Sequence, residues 1–315
     1  DKLIARTKKQ FEEKGINVFI EHEVIDINTN DKQIKIKDLK NNKTITDHYD
    51  QLVIATGTKP YLTNVDGSDD ANLYVLNQLE DARKIKENMD GVKEVAIIGG
   101  GYIGLEIAEN FAHLRIKVHI IEMAKQLLTV YDETIAKEAK KILENLGINI
   151  YLNEGLKSYK KENNKTKVIT EKREIEVDMV IESIGVKPNT DFLKSTDIKM
   201  LKNGAIITNA HMETNIKDIY AGGDGASYDH LLTNKKVFVP LGTHANKTGK
   251  IIAENIAGKD IEFPGIIGSN IIKIDTYAFA KTGVSMEESK KYKLGFDYVD
   301  ITAKNQSGYY PGSKK

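Results

Sequence analysis

The spacing of apolar and polar positions changes several times along this chain, and each change marks an expected element. Residues 2–14 repeat apolar side chains at helical spacing up to Gly15, which predicts an amphipathic helix. Short runs at 16–20, 24–28, 33–37 and 44–48 predict strands, with "LKNNKT" supplying turn chemistry before the last. "YDQLVIATGTKP" (49–60) predicts a buried strand that breaks at Gly57 and Pro60, and 79–89 a helix with a polar face. From Glu94 the order becomes strand, helix, strand, helix, strand at 94–98, 102–114, 117–122, 132–146 and 148–152, the signature of a parallel α/β unit. An antiparallel stretch (155–177) leads to a second buried strand, "DMVIESIGVKPN" (178–189). A third, "DIYAGGD" (218–224), precedes a helix at about 241–257, and short strands return from Phe263. The α/β unit at 90–205 therefore reads as an insertion into another domain, formed by 1–89 and 206–260, with a third domain over 261–315.

Composition narrows the function classes. The chain has 315 residues, enough for two ordinary domains, and its 40% hydrophobic and 29% charged content is that of a globular protein. Basic and acidic residues balance at 46 each, so no net field draws the molecule to nucleic acid or anionic lipid. The runs "KKEN" and "KENNKTK" read as solvated loop tips, and no apolar run has the length of a membrane span. The start "DKLIARTKKQF" has neither a secretory apolar region nor a Met, so we expect a cytoplasmic protein whose true N-terminus lies elsewhere. No Cys is present, which excludes a disulfide scaffold, a thiolate zinc site and a thiol nucleophile within these residues. The seven His lack a ligand pair at i, i+4, so no metal site is expected, and Asp132 and Asp191 suit helix starts better than acid–base work.

The chemistry concentrates in "VAIIGGGYIGLEIAE" (95–109). Gly99, Gly101 and Gly104 match G-x-G-x-x-G, between a strand and a helix as the mechanism requires. The first Gly makes the tight turn, the second lets a pyrophosphate approach the backbone, and the third lets helix and strand lie close. The helix start offers unpaired N–H groups and positive dipole to phosphates. Glu122 ends the next strand, 23 residues after Gly99, where an acid accepts hydrogen bonds from an adenosine ribose and repels a 2′-phosphate. The expected coenzyme is therefore NADH. Lys125, three residues on, offsets part of that charge and leaves NADPH open.

With these residues in hand, the chain resembles the flavoprotein pyridine nucleotide-disulfide oxidoreductases, and within them the coenzyme A-disulfide reductase and NADH oxidase/peroxidase group. Six motifs carry the resemblance in order: "VIATGTKP" (53–60), "GGGYIGLE" (99–106), "ESIGVKPNT" (182–190), "IYAGGD" (219–224), "VPLGTHANKTGK" (239–250) and "SGYYPG" (307–312). The resemblance implies two Rossmann-like dinucleotide-binding domains, the NAD domain inserted in the FAD domain, and the start of an α+β interface domain. The "ATG" and "GVKPN" turns would be the crossings between the two. Ala55, Thr56, Gly57 and Thr58 would lie along FAD, Gly185 near the nicotinamide, and Asp224 would accept hydrogen bonds from the FAD hydroxyls. Leu241, Gly242 and Thr243 would open a helix facing the flavin pyrimidine edge, where its dipole favours the anion of the reduced state. A phosphate-loop reading of "GTHANKTGK" fails, since position 244 is His and 251 is Ile. Tyr102 would cover the nicotinamide side of the flavin and move aside for the coenzyme. Ile103 and Tyr131 would touch the coenzyme, Tyr131 at its adenine end, and Glu106 would reach the nicotinamide carboxamide.

The family's FAD-binding βαβ unit and its redox cysteine have no counterpart among these residues, and "NQS" (305–307) replaces a usual His-containing segment. We therefore expect an internal piece of a longer enzyme, homodimeric when whole, that binds NADH without turning it over alone. The expected activity is hydride transfer from nicotinamide to flavin and onward to a small-molecule acceptor: a disulfide such as coenzyme A disulfide, oxygen or peroxide. The alternatives are a cysteine-free NADH-dependent flavin reductase serving an electron-transfer chain and a non-enzymatic NADH-sensing module.

Overall fold

The computed structural model describes residues 4–299, 301–303, 309 and 311, so most of the "SGYYPG" motif and all of "NQS" lie outside the described residues. The first helix, α1 (Lys8–Glu12), is shorter than expected, because Thr7 caps it with its side chain and Gln10 caps Thr7 in return. The strand expected at 16–20 does not form. Glu21 takes a left-handed φ of 56° and turns the chain there, and Phe19 and Ile20 stay exposed. A three-stranded antiparallel meander follows: β1 (His22–Asn28), β2 (Gln33–Asp38) and β3 (Lys43–His48).

The "VIATGTKP" run is two strands, β4 (Leu52–Ile54) and β5 (Thr58–Pro60), because Gly57 sits at φ 65° between them. Next come β6 (Leu73–Val75), α2 (Leu79–Glu87), β7 (Glu94–Ile98), α3 (Tyr102–His113), β8 (Lys117–Glu122), α4 (Glu133–Asn145) and β9 (Asn149–Leu152). An antiparallel trio, β10 (Leu156–Glu162), β11 (Lys165–Thr170) and β12 (Glu174–Val177), precedes β13 (Met179–Glu182). "DMVIESIGVKPN" is likewise two strands: β14 (Val186–Pro188) follows β13 after Gly185, whose φ is 109°.

Five strands form one parallel sheet in the order β6-β13-β7-β8-β9. Its central strands are near-continuous apolar runs, which suits a sheet covered on both faces. The helices α3 and α4 cover one face through Leu105, Phe111, Ala139 and Leu143, packed on Val95, Ile97 and Ile120. The β10–β12 trio covers the other, with Tyr159, Val168 and Val177 against Ala96, Ile98 and Ile121. The outer strand β6 comes from residues before 90.

The chain enters and leaves this unit through β5 and β14, which pair antiparallel, Thr58 opposite Pro188. Beyond the crossing, β15 (Ile219–Ala221) pairs in parallel with β4, so residues far apart in sequence share a second core with Ile54, Ile206 and Tyr228. A hairpin of β16 (Tyr228–His230) and β17 (Lys235–Val237) precedes α5 (Gly242–Ile256). The chain continues through the hairpin β18 (Asn270–Ile274) and β19 (Tyr277–Lys281) to α6 (Met286–Tyr292). Ile272, Ile274 and Phe279 of that hairpin join the core beneath α3 and α4.

Candidate active site

The parallel sheet reverses its order between β7 and β13, and ligands of open α/β sheets sit in the crevice at such a reversal, beyond the strand C-termini. The two strands are followed at once by Gly99 and Ser183. Gly99 has φ 107°, and a Cβ added there would lie 2.6 Å from the Ser183 carbonyl oxygen, so only glycine turns here. Gly104, in the first turn of α3, is equally tight: its Cβ would meet the Gly99 oxygen at 2.4 Å. At Gly101, the N-cap of α3, a Cβ would meet nothing within 4 Å, and no side chain caps the helix. An open face and uncapped N–H groups therefore coincide at the point where a pyrophosphate would rest.

Glu122 closes the loop from the next strand. Its Oε2 accepts from Gly100 N at 2.7 Å and its Oε1 from Ala124 N at 2.7 Å. A carboxylate has about four acceptor sites, so lone pairs remain for ribose hydroxyls. Gly100 itself went unremarked in the motif. A Cβ there would strike Leu127 at 2.5 Å, and the middle glycine of "GGG", at an x position of the motif, was the available signal.

Tyr102 and Ile103 stand at the first turn of α3. The Tyr102 hydroxyl is buried with no hydrogen-bond partner among the described residues, and burial raises its pKa above the ordinary phenol value. Ile103 is exposed. Glu106, one turn on, is exposed as a residue, yet partial desolvation of its carboxyl and the nearby Glu109 raise its pKa. Tyr131 is placed differently from a surface contact. It is 4% exposed, packs edge-on to Tyr102 with ring centroids 6.1 Å apart, and donates its hydroxyl to the Phe279 carbonyl at 3.0 Å.

At the crossing, Gly185 is exposed and its carbonyl accepts from Tyr61 N at 2.9 Å. Asn189 N donates to the Gly57 carbonyl at 2.9 Å, and Thr56 Oγ1 returns a bond to the Asn189 carbonyl at 2.8 Å. Asp191 opens a 3₁₀ turn and is held between Lys59 and Lys194, which keep its carboxyl well below the usual range. Glu182 was not singled out in the sequence. It is buried, and accepts from Thr63 N at 2.9 Å and from the hydroxyls of Thr63 and Tyr159. An acid ending an apolar strand was the signal, and its effect is to staple the segment after β5 to β13.

Ala55, Thr56, Gly57 and Asp224 are brought together at the ends of β4 and β15. A Cβ added at Gly225 would lie 3.4 Å from the Gly57 carbonyl oxygen, so the two turns touch. Gly223 N donates to Thr248 Oγ1 of α5 at 3.2 Å, setting this turn against the helix. Leu241 is the N-cap of α5 and no side chain caps it, which leaves N–H groups of Gly242 and Thr243 for an external acceptor. Asp224 Oδ1 is buried without a hydrogen-bond partner among the described residues, and burial raises the carboxyl pKa, with His244 opposing. A carboxylate lacking donors beside an uncapped helix fits a polyhydroxylated, anionic group such as FAD. Among the described residues, no group of three or more His, Asp or Glu is placed to hold a metal, and no helix is long and apolar enough to cross a membrane.

Comparison with known proteins agrees with this geometry. The sequence model of the family described as pyridine nucleotide-disulphide oxidoreductase matches residues 2–249. The NAD(P)H sulfur oxidoreductase (CoA-dependent) of Pyrococcus furiosus is 34% identical over 307 residues, covering 96% of this chain and 68% of that protein. The coenzyme A disulfide reductase of Staphylococcus aureus (strain Newman) is 32% identical over 317 residues, covering 99% of this chain and 70% of that protein. Among solved structures, the water-forming NADH oxidase from Lactobacillus brevis bound to NADH superposes with a TM-score of 0.95 at 26% identity, covering 99% of this chain and 69% of that one. With its family matched from residue 2 to residue 249 and its backbone shared with such an oxidase nearly throughout, this chain belongs to the pyridine nucleotide-disulphide oxidoreductase family.

Proposed function

We propose that this chain carries the coenzyme site and much of the flavin site of an NAD(P)H-dependent flavoprotein oxidoreductase. Its reaction is hydride transfer from nicotinamide to flavin, followed by reduction of a disulfide such as coenzyme A disulfide, a related sulfur species, or oxygen or peroxide. The observation that carries this reading is the glycine loop at the sheet reversal, open at Gly101 and closed by Glu122, facing a crossing that leads to the partnerless Asp224. The names of the relatives support sulfur species, coenzyme A disulfide and oxygen among these acceptors. The chain has no Cys, so a thiolate that would take electrons from flavin is not among its own residues.

In this reading the residues divide the work. Gly99, Gly101 and Gly104 let the pyrophosphate approach the α3 N-terminus, and Glu122 takes the adenosine ribose, which favours NADH. Ile103 offers an apolar surface to the coenzyme, Tyr102 covers the nicotinamide position, and Glu106 accepts from the carboxamide. Gly185 keeps the crossing clear of side chains. FAD, when bound, supplies the two-electron acceptor. Asp224 takes its hydroxyl donors, Ala55, Thr56, Gly57 and Thr58 flank it, and the N–H groups at Leu241, Gly242 and Thr243 stabilise negative charge on it. The NAD(H) domain would be the segment between β5 and β14, which starts before residue 90 because it includes β6 and ends before 205 because Leu193 and Ile198 join the other core. The residues up to β5 and from β14 to 260 would be parts of the FAD domain, and 261–315 the start of an interface domain. Exposed Ile271 and Tyr277 on the β18–β19 hairpin support self-association as a homodimer, and a chain without disulfides suits the cytoplasm.

The test is calorimetric titration of NADH and NADPH into wild type and Glu122→Ala. A charge-assisted hydrogen bond is worth about 1.5–3 kcal/mol, so NADH affinity should fall by more than about tenfold and the preference over NADPH should shrink. An unchanged preference would sink the assignment of Glu122.

A further inference from the structure

Glu122 is followed by a loop, residues 123–132, that the C-terminal hairpin and α6 hold from outside. Five polar contacts make this seat. Tyr131 donates to the Phe279 carbonyl, Met286 N donates to Asp132 Oδ1 at 2.8 Å, and Lys281 Nζ donates to the Val130 carbonyl at 2.9 Å. Lys281 also pairs with Glu288 at 2.6 Å, and Lys125 pairs with Glu287 at 3.1 Å. On its inner side the loop meets the glycine turn, where Leu128 N donates to the Gly100 carbonyl at 2.9 Å. The loop is thus a wall between the coenzyme site and the C-terminal segment.

Lys125 has a particular place in that wall. Ala124 N donates to Glu122 Oε1, so the chain folds back onto the acid, and the Lys125 Cα lies only one residue beyond, about 3.8 Å from that of Ala124. Freed from its partner, a Lys side chain is long enough to reach back from that Cα toward the position of an adenosine 2′-substituent. It is not free. Glu287 meets it from α6, and Glu133, the other nearby acid, is engaged by Lys137 at 2.7 Å. The helix that carries Glu287 is fixed by Ser285, whose side chain accepts from Glu288 N.

We propose that Glu287 is a specificity-determining residue of the coenzyme site: by pairing with Lys125 it removes the cation that a 2′-phosphate would need, and so keeps the chain selective for NADH. The proposal rests on the reading of Glu122 as the ribose acceptor, and it assigns part of that selectivity to a residue 162 positions from Lys125 in sequence. Repulsion by Glu122 and neutralisation of Lys125 then act together, one against the phosphate and the other on its only adjacent counter-charge within the loop as described.

The experiment is calorimetric titration of NADH and NADPH into the full chain at low salt, for wild type, Glu287→Gln, Lys125→Gln, the double variant, and Glu122→Ala. Glu287→Gln should tighten NADPH by about two- to fivefold, the range of an exposed ion pair, with a smaller change for NADH. The gain should vanish in the double variant and shrink at about 0.5 M salt, where screening is nearly complete. Unchanged NADPH affinity in Glu287→Gln, or a gain that survives in the double variant, overturns the proposal. If Glu122→Ala alters the preference while Glu287→Gln does not, this proposal fails and the ribose reading stands; if Glu122→Ala is silent, the ribose reading itself fails.

Discussion

Replacing Gly104 by Ala sets two effects of opposite sign against each other. Alanine is the better helix former, by about 1 kcal/mol in a helix interior. Its methyl, however, would stand 2.4 Å from the Gly99 carbonyl oxygen, 2.6 Å from Ser183 Oγ and 3.3 Å from Ile97 Cγ2. An ordinary carbon–oxygen contact is about 3.3 Å, so relief at Gly99 requires a movement of about 1 Å. Ser183 can rotate its hydroxyl away. Gly99 cannot move its carbonyl freely, because its own turn at φ 107° is pressed on Ser183. The start of α3 must therefore retreat from β7, at the usual cost of an overfilled core, about 1–3 kcal/mol. A contact this short with backbone takes the upper part of that range, about 2–3 kcal/mol, so the clash outweighs the propensity gain and a net loss of about 1–2 kcal/mol is expected. Gly101→Ala is the matched control. That position has φ −85° and open space around it, so no clash opposes the methyl, and the loss should stay at about 0.5–1 kcal/mol, the preference of an N-cap for Gly over Ala. Its methyl would nevertheless occupy the face left for the pyrophosphate. Urea unfolding followed by circular dichroism gives the stabilities, and NADH titration gives the binding. A Gly104→Ala chain as stable as wild type, or a Gly101→Ala chain that binds NADH undiminished, would refute the reasoning.

Two other variants test the buried polar groups. Asp224→Asn should raise the urea midpoint of the flavin-free chain at neutral pH, because a neutral amide replaces a desolvated charge while still carrying an acceptor without a donor, and should lower the FAD retained after gel filtration. Because the Asp224 pKa is raised on folding, protonation stabilises the native state below the unfolded pKa, and that stability is lost as pH rises through the folded value. The advantage of the Asn variant should accordingly shrink as pH falls from neutrality into the carboxyl range, and an advantage independent of pH would refute the assignment. Tyr102→Phe should stabilise the flavin-free chain by about 1 kcal/mol, since its hydroxyl has no partner. A lower urea midpoint for this variant would mean that the hydroxyl is bonded after all.

What the sequence disclosed followed from pattern, and what it hid followed from distance. Strands β7, β8 and β13 were legible because strands buried on both faces read as unbroken apolar runs, and α3 and α4 because their apolar stripes recur at helical spacing. The run at 16–20 shares the apolar character of a strand, but a turn at Glu21 deprived it of one. Gly57 and Gly185 each split a predicted strand in two, because their backbone angles cannot continue a pleat. Spacing located Glu122 but not its bonds to Gly100 and Ala124, which depend on how the loop folds back. Asp224 was singled out by motif, whereas its lack of a partner among the described residues shows only in how it is buried. The setting of Tyr131 and the pairing of Lys125 with Glu287 involve contacts 148 and 162 residues apart, which no local period encodes.

The central claim is that the glycine turn at the β7–β13 reversal is the coenzyme site of this oxidoreductase. Its most direct test is an NADH titration of isotopically labelled chain, followed through backbone amide resonances. The account predicts saturable shifts at Gly99, Gly100, Gly101, Tyr102, Ile103 and Ala124, with little change in the β1–β3 meander. No saturation, or shifts gathered away from the glycine turn, would contradict it.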